Sequence, residues 1–234
     1  MFKFNSFCIQ VLRSVIVPFL VAATDCLGQN SKIDSLSLVI KNHPLQDDIR
    51  AEALLHLSQA YLQQDPQKAL IYPDEVLSFQ NKIKNKKFVS DAYRSKGTIF
   101  QLLSRFQEAV DSYSSAIQWD ESTHYDAGIA AALGNIGTVY MNQGKMSEAL
   151  KWFLKALKKH EMLKNELNVA ITSMNIGIVY TELRDYSQAM VNYERTLPIF
   201  RKYKHLVGEA HTLTNMGVLQ MKQKNLQGAV KYGK

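Results

Sequence analysis

The chain has 234 residues, of which 46% are hydrophobic and 21% charged, enough apolar material to bury a core and too much for an intrinsically disordered chain. Its formal charge is +7, which raises nucleic acid and anionic membranes as partners. No RNA- or DNA-binding motif accompanies the basic runs at 82–87, 155–159 and 201–204; they fall near the ends of predicted helices, where cations complement the helix dipole.

The first 28 residues read as a cleavable signal peptide. Lys3 and Arg13 supply positive charge, and the stretch from Ser14 to Thr24 is uncharged and mostly apolar. As a helix it rises only about 16 Å, too little to cross a hydrocarbon core of roughly 30 Å but suited to a secretory leader. Cleavage after Gly28 exposes Gln29. A retained membrane anchor is the alternative, and lipid modification of Cys26 is disfavoured by the preceding Asp25. Both cysteines, Cys8 and Cys26, precede the cut, so the mature chain holds no disulfide and no thiolate metal site. The expected location is exported, periplasmic or extracellular.

Residues 29–45 are predicted to form an N-terminal capping helix. Ser31 is the expected cap, Ile33, Leu36 and Ile40 share one face, and His43-Pro44 ends the run.

From residue 46 to 234 the chain repeats, in segments 46–87, 88–127, 128–167, 168–207 and an incomplete 208–234. Gly97, Gly137, Gly177 and Gly217 are 40 residues apart. Twelve residues on come Ala109, Ala149, Ala189 and Ala229, and four beyond those come Tyr113, Phe153, Tyr193 and Gly233. Tyr140 and Tyr180 follow their glycines by three. The earliest copy fits with one residue deleted, placing Ser58 at the glycine position, then Ala69, with Pro73 where the second aromatic belongs. Asp65-Pro66 reads as a helix N-cap and first turn, and Pro73 should kink the helix that follows.

The pattern has a packing logic. Leu133, Ile136 and Tyr140 make one apolar stripe, Gly137 beside it admits a partner helix closely, and Ala149 and Phe153 are the small and large groups of that partner. Asn142-Gln143-Gly144-Lys145 is the turn, with Gly144 free to take positive φ. A single hairpin cannot bury its apolar face, so neighbours must stack.

A small residue, an aromatic three later, then Ala and a further aromatic resembles the tetratricopeptide repeat, in its long variety of about 40 residues; similar long repeats occur in kinesin light chains and in bacterial receptors for signalling peptides. The resemblance implies an all-α fold, a superhelical solenoid of stacked hairpins with a concave groove lined by first helices. It implies a non-catalytic protein- or peptide-binding scaffold or sensor, without cofactor.

Asn135, Asn175 and Asn215 each stand two residues before a repeat glycine, and Ser95 takes that place in the second copy. In related families asparagine here hydrogen-bonds the backbone of an extended peptide, a task that suits a carboxamide's paired donor and acceptor; the alternative is that these residues bond the next hairpin and fix repeat geometry. Thr138, Asn142, Ile178, Glu182, Val218 and Lys222 are further groove candidates. The regularly spaced aromatics are assigned to the core.

The six histidines show no HExxH, the glycines form no phosphate loop, and Gly-x-Ser-x-Gly is absent, so neither metal nor catalysis is expected. The last copy carries Gln220 and Gly233 where aromatics are usual. An uncapped end of that kind invites self-association. Alternatively, the chain is the sensor region of a membrane signalling protein whose kinase, cyclase or DNA-binding output is missing.

Overall fold

The computed structural model describes residues 31–223. The predicted leader, both cysteines, Ala229 and Gly233 lie outside them, as does the close of the fifth copy. Among the described residues there are ten helices and no strands. In chain order they are α1 (31–42), α2 (Asp48–Tyr61), α3 (Pro66–Ser78), α4 (Lys87–Leu102), α5 (Phe106–Ser122), α6 (Asp126–Asn142), α7 (Met146–Met162), α8 (Glu166–Glu182), α9 (Tyr186–Lys202) and α10 (Leu206–Lys222). They form two compact units, one ending at Lys84 and one beginning at Asn85.

In the first unit, α1 lies on the α2–α3 hairpin. Ile33 is buried with Leu57 and Ala60, while Leu36 and Ile40 pack beside Tyr61 and Tyr72. Ser31 is already helical rather than capping; its carbonyl accepts from Ser35 Oγ at 2.9 Å. Asp47 caps α2 by accepting from the amides of Ile49 and Arg50. Asp65 caps α3 by accepting from the amide of Lys68, with Pro66 in the first turn. Pro73 is buried, and α3 runs on through it to Ser78.

The second unit stacks hairpins α4–α5, α6–α7 and α8–α9, and then α10. Each inner first helix touches two second helices, α6 lying against α5 and α7, and α8 against α7 and α9. Neighbouring first helices also meet, α4 with α6 and α8 with α10. The glycines set the close approach. A Cβ on Gly97 would stand 2.6 Å from the Tyr113 ring, one on Gly137 2.8 Å from Phe153, and one on Gly177 2.5 Å from Tyr193. Ala109, Ala149 and Ala189 are fully buried beside these rings.

The aromatic chosen in each hairpin matches its surroundings. Tyr113 Oη bonds Thr98 Oγ1 at 3.0 Å and donates to Gln101 Oε1 at 3.3 Å. Tyr193 Oη bonds Thr181 Oγ1 at 3.1 Å. Phe153, which has no hydroxyl, has the apolar Met141 packed against its cluster, at the register held by Gln101 and Thr181. Burial pushes both tyrosine phenols up to about 12, keeping them neutral donors.

Among the described residues, the six turns between α4 and α10 close alike. The amide of Arg105 donates to the carbonyl of Phe100, Lys145 to Tyr140 and Asp185 to Tyr180 within hairpins; Tyr125 donates to Asp120, Asn165 to His160 and His205 to Phe200 between them. This is the six-to-one bond of a helix C-terminus ended by a left-handed residue. Gly144 supplies one such residue at φ 73°, while Ser104, His124, Lys164, Arg184 and Lys204 adopt positive φ without being glycine.

Candidate functional site

The first helices of the second unit carry an unburied stripe at positions i, i+4, i+7, i+8, i+11 and i+15. On α6 it reads Ala127, Ala131, Gly134, Asn135, Thr138, Asn142; on α8, Leu167, Ile171, Met174, Asn175, Ile178, Glu182; and on α10, Val207, His211, Thr214, Asn215, Val218, Lys222. A helix gripped by two second helices keeps this line open, because most of its other sides are turned to the core.

Asn135, Asn175 and Asn215 are half-buried at equivalent places on the three helices. None of their carboxamides makes a hydrogen bond among the described residues, so none ties one hairpin to the next. Their neighbours are more engaged. Thr138 Oγ1 donates to the Gly134 carbonyl of its own helix at 3.1 Å. Ile178 packs, with Met174, against the cluster that contains Met216 and Leu219. Glu182 receives Lys222 Nζ at 2.8 Å, an ion pair joining α8 to α10 at one end of the stripe. Asn142 is exposed. Tyr140 stacks on Trp152, with centroids 6.4 Å apart, and Tyr180 borders the cores of two hairpins.

The sequence reading did not single out Leu167, Ile171 and Met174, which with Ile178 make the stripe of α8 aliphatic. The signal was present as a second apolar line on a helix whose first line was already assigned to the core.

A second buried row lies third from the end of each second helix, at Asp120, His160 and Phe200. Asp120 is fully buried and receives Arg94 Nη1 at 2.5 Å; Gly128 makes room for it, since a Cβ there would stand 2.2 Å from its carboxylate. Burial pushes its carboxyl above the usual range, with Ser90 and Arg94 pulling the other way. His160 is 6% exposed and its Nδ1 has no hydrogen-bond partner; burial alone holds its pKa below the usual imidazole value. Phe200 stacks on His205 with centroids 5.3 Å apart.

The basic runs are partly paired. Lys159 bonds Asp126 at 2.6 Å and Lys202 bonds Glu166, each closing its hairpin, while Arg195 bonds Glu161 at 2.7 Å between α9 and α7. A hollow of about 580 Å³ between α7, α8 and α9 is floored by Val169, Pro198 and Ile199 and rimmed by the Arg195–Glu161 and Lys202–Glu166 pairs; it includes none of the asparagines. Among the described residues no group of three or more His, Cys, Asp or Glu is placed to hold a metal ion. Among them, too, no helix is long and apolar enough to cross a membrane.

Comparison with known proteins follows the same lines. A family model described as tetratricopeptide repeat matches residues 88–158 and again 128–202. Three similar solved structures are BtubC from P. vanneervenii, a Rap protein complexed with Competence and Sporulation Factor, and a Signal Transduction ATPase with Numerous Domains from Pyrococcus horikoshii that carries a tetratricopeptide repeat sensor. BtubC superposes with TM-score 0.72 at 17% identity, covering 88% of this chain and 85% of that one. The Rap complex gives 0.70 at 13% identity, covering 85% and 56%. The ATPase gives 0.67 at 19% identity, covering 78% of this chain and 28% of its own. The chain thus spans most of BtubC but little more than half of the Rap protein. The search of curated proteins gave no match.

Proposed function

This chain belongs to the tetratricopeptide-repeat family, and from that premise we propose that it is a non-catalytic scaffold or sensor that holds an extended peptide in the concave groove lined by the unburied stripe of its first helices. The supporting observation is the row Asn135, Asn175 and Asn215, three half-buried carboxamides in one register without an internal hydrogen bond among the described residues. A peptide backbone presents the donors and acceptors that such groups lack. The aliphatic line of α8 would take apolar side chains of the same ligand, and Thr138, Asn142, Ile178 and Glu182 would flank it. The Rap protein complexed with Competence and Sporulation Factor is a relative in fold that holds a ligand.

The test is to select peptides from a random library on the wild-type protein and measure them on a variant with Asn135, Asn175 and Asn215 changed to alanine. A loss of affinity of about tenfold or more, with helicity retained, is expected for two or more lost hydrogen bonds. Equal affinity overturns the assignment.

A second reading makes the chain the sensor portion of a larger signalling protein. The Pyrococcus ATPase favours it, since there a tetratricopeptide repeat sensor is one part of a longer chain. In either reading residues 1–28 act as an export leader, which N-terminal sequencing of the secreted protein would test by finding Gln29 first.

A further inference from the structure

The outer face of α7 differs from those of its counterparts. Lys151, Leu154, Lys155, Lys158 and Met162 are all exposed and fall within about 100° of arc on one helix. At the same register α5 presents Asp111, Ser114, Ser115, Gln118 and Ser122, and α9 presents Val191, Glu194, Arg195, Pro198 and Lys202. Lys151, Lys155 and Lys158 have no acidic partner among the described residues; Lys155 Nζ instead lies 4.3 Å from the centroid of the Trp152 ring. Leu154 is 46% exposed and Met162 67% exposed, in line with the lysines.

We infer that this face docks an acidic amphipathic helix of a partner protein, a contact separate from the peptide stripe of the first helices. Charge complementarity selects an anionic partner. The arrangement of the apolar groups selects among anions. Leu154 and Met162 stand eight residues apart, about 12 Å along the helix, with lysines between them on the same line. A membrane-surface helix segregates its apolar face from its lysines, and a nucleic acid offers phosphates without an apolar counterpart on this line. A helix with apolar side chains two turns apart and glutamates between them meets both features.

The probe is a fluorescein-labelled synthetic peptide of roughly 20 residues, Glu and Leu arranged to give one apolar line on a helix, titrated into the full chain. Micromolar binding that weakens with salt is expected. Changing Lys151, Lys155 and Lys158 to glutamate should weaken it tenfold or more with unchanged circular dichroism, and Leu154→Ala with Met162→Ala should weaken it several-fold at constant charge. The variant lacking Asn135, Asn175 and Asn215 should bind this probe like wild type, which keeps the outcome independent of the peptide-stripe reading. Equal loss on changing the exposed Lys32, Lys41 and Lys84 to glutamate overturns the inference, because net charge alone would then explain binding. So does binding to phosphatidylglycerol vesicles or duplex DNA without binding to the peptide.

Discussion

Ser58 Oγ donates a 3.0 Å hydrogen bond to the carbonyl of Ala69 across the α2–α3 hairpin. That carbonyl lies four residues before Pro73, whose nitrogen has no hydrogen to give it. The serine therefore supplies the donor that the proline cannot. Ser58→Ala should destabilise the first unit by about 1–2 kcal/mol, the cost of a buried acceptor left unpaired. In a Pro73→Ala background the same change should cost less, because the amide at position 73 then serves the Ala69 carbonyl. Urea midpoints of the four proteins measure the coupling, and additive effects would refute it.

Gly137→Ala places a methyl group 2.8 Å from the Phe153 ring, so one helix must shift. A loss of about 1–3 kcal/mol is expected from overpacking. Phe153→Leu should cost less in the Gly137→Ala protein than in wild type, since the smaller side chain opens the space the methyl needs. Thermal unfolding of the cycle reads this directly.

Arg184 sits at φ 63° and Gly144 at 73°, at the same place in two turns. An L-residue with a side chain pays about 1–2 kcal/mol for the left-handed conformation, partly offset by the entropy glycine loses on folding. Arg184→Gly should stabilise by up to about 1 kcal/mol, and Gly144→Ala should destabilise by about 1 kcal/mol although a Cβ there meets nothing within 4 Å. Denaturant midpoints moving in the opposite sense would show that the turns are not limited by backbone conformation.

His160 carries its own pH dependence. Burial lowers its pKa in the folded state, so near and below pH 6.5, the ordinary imidazole value, the unfolded chain binds more protons than the folded one. Stability is therefore complete above that value and declines as pH falls towards the folded-state pKa. His160→Gln, which cannot titrate, should flatten the decline between about pH 7 and 5.5, above the carboxylate range. Parallel slopes for variant and wild type would place the pH sensitivity elsewhere.

The glycine, alanine and aromatic positions were legible in the sequence because identical residues recur at identical places, and each performs one steric task. The left-handed residues were legible only at Gly144. Ser104, His124, Lys164, Arg184 and Lys204 share a backbone conformation but no side-chain chemistry, and the Schellman bonds, not the residue type, hold them there. The row Asp120, His160 and Phe200 was hidden for a related reason: its members are a carboxylate, an imidazole and a phenyl ring, each accommodated by different partners. Pro73 and Ser58 looked like two separate departures from the pattern, and only the hydrogen bond between their helices shows that one answers the other. The asparagines were visible by register. That they lack hydrogen-bond partners among the described residues was not, because a carboxamide's spelling is the same whether or not it is paired.

The junctions of the second unit are interchangeable parts. Because Tyr125–Asp120, Asn165–His160 and His205–Phe200 end their second helices with the same bond, a segment running from one junction to the next begins and finishes in matching geometry. Excising or duplicating such a block leaves the described turns as they were and changes only how many modules stand in line, so the stack can be lengthened or shortened without inventing a new joint.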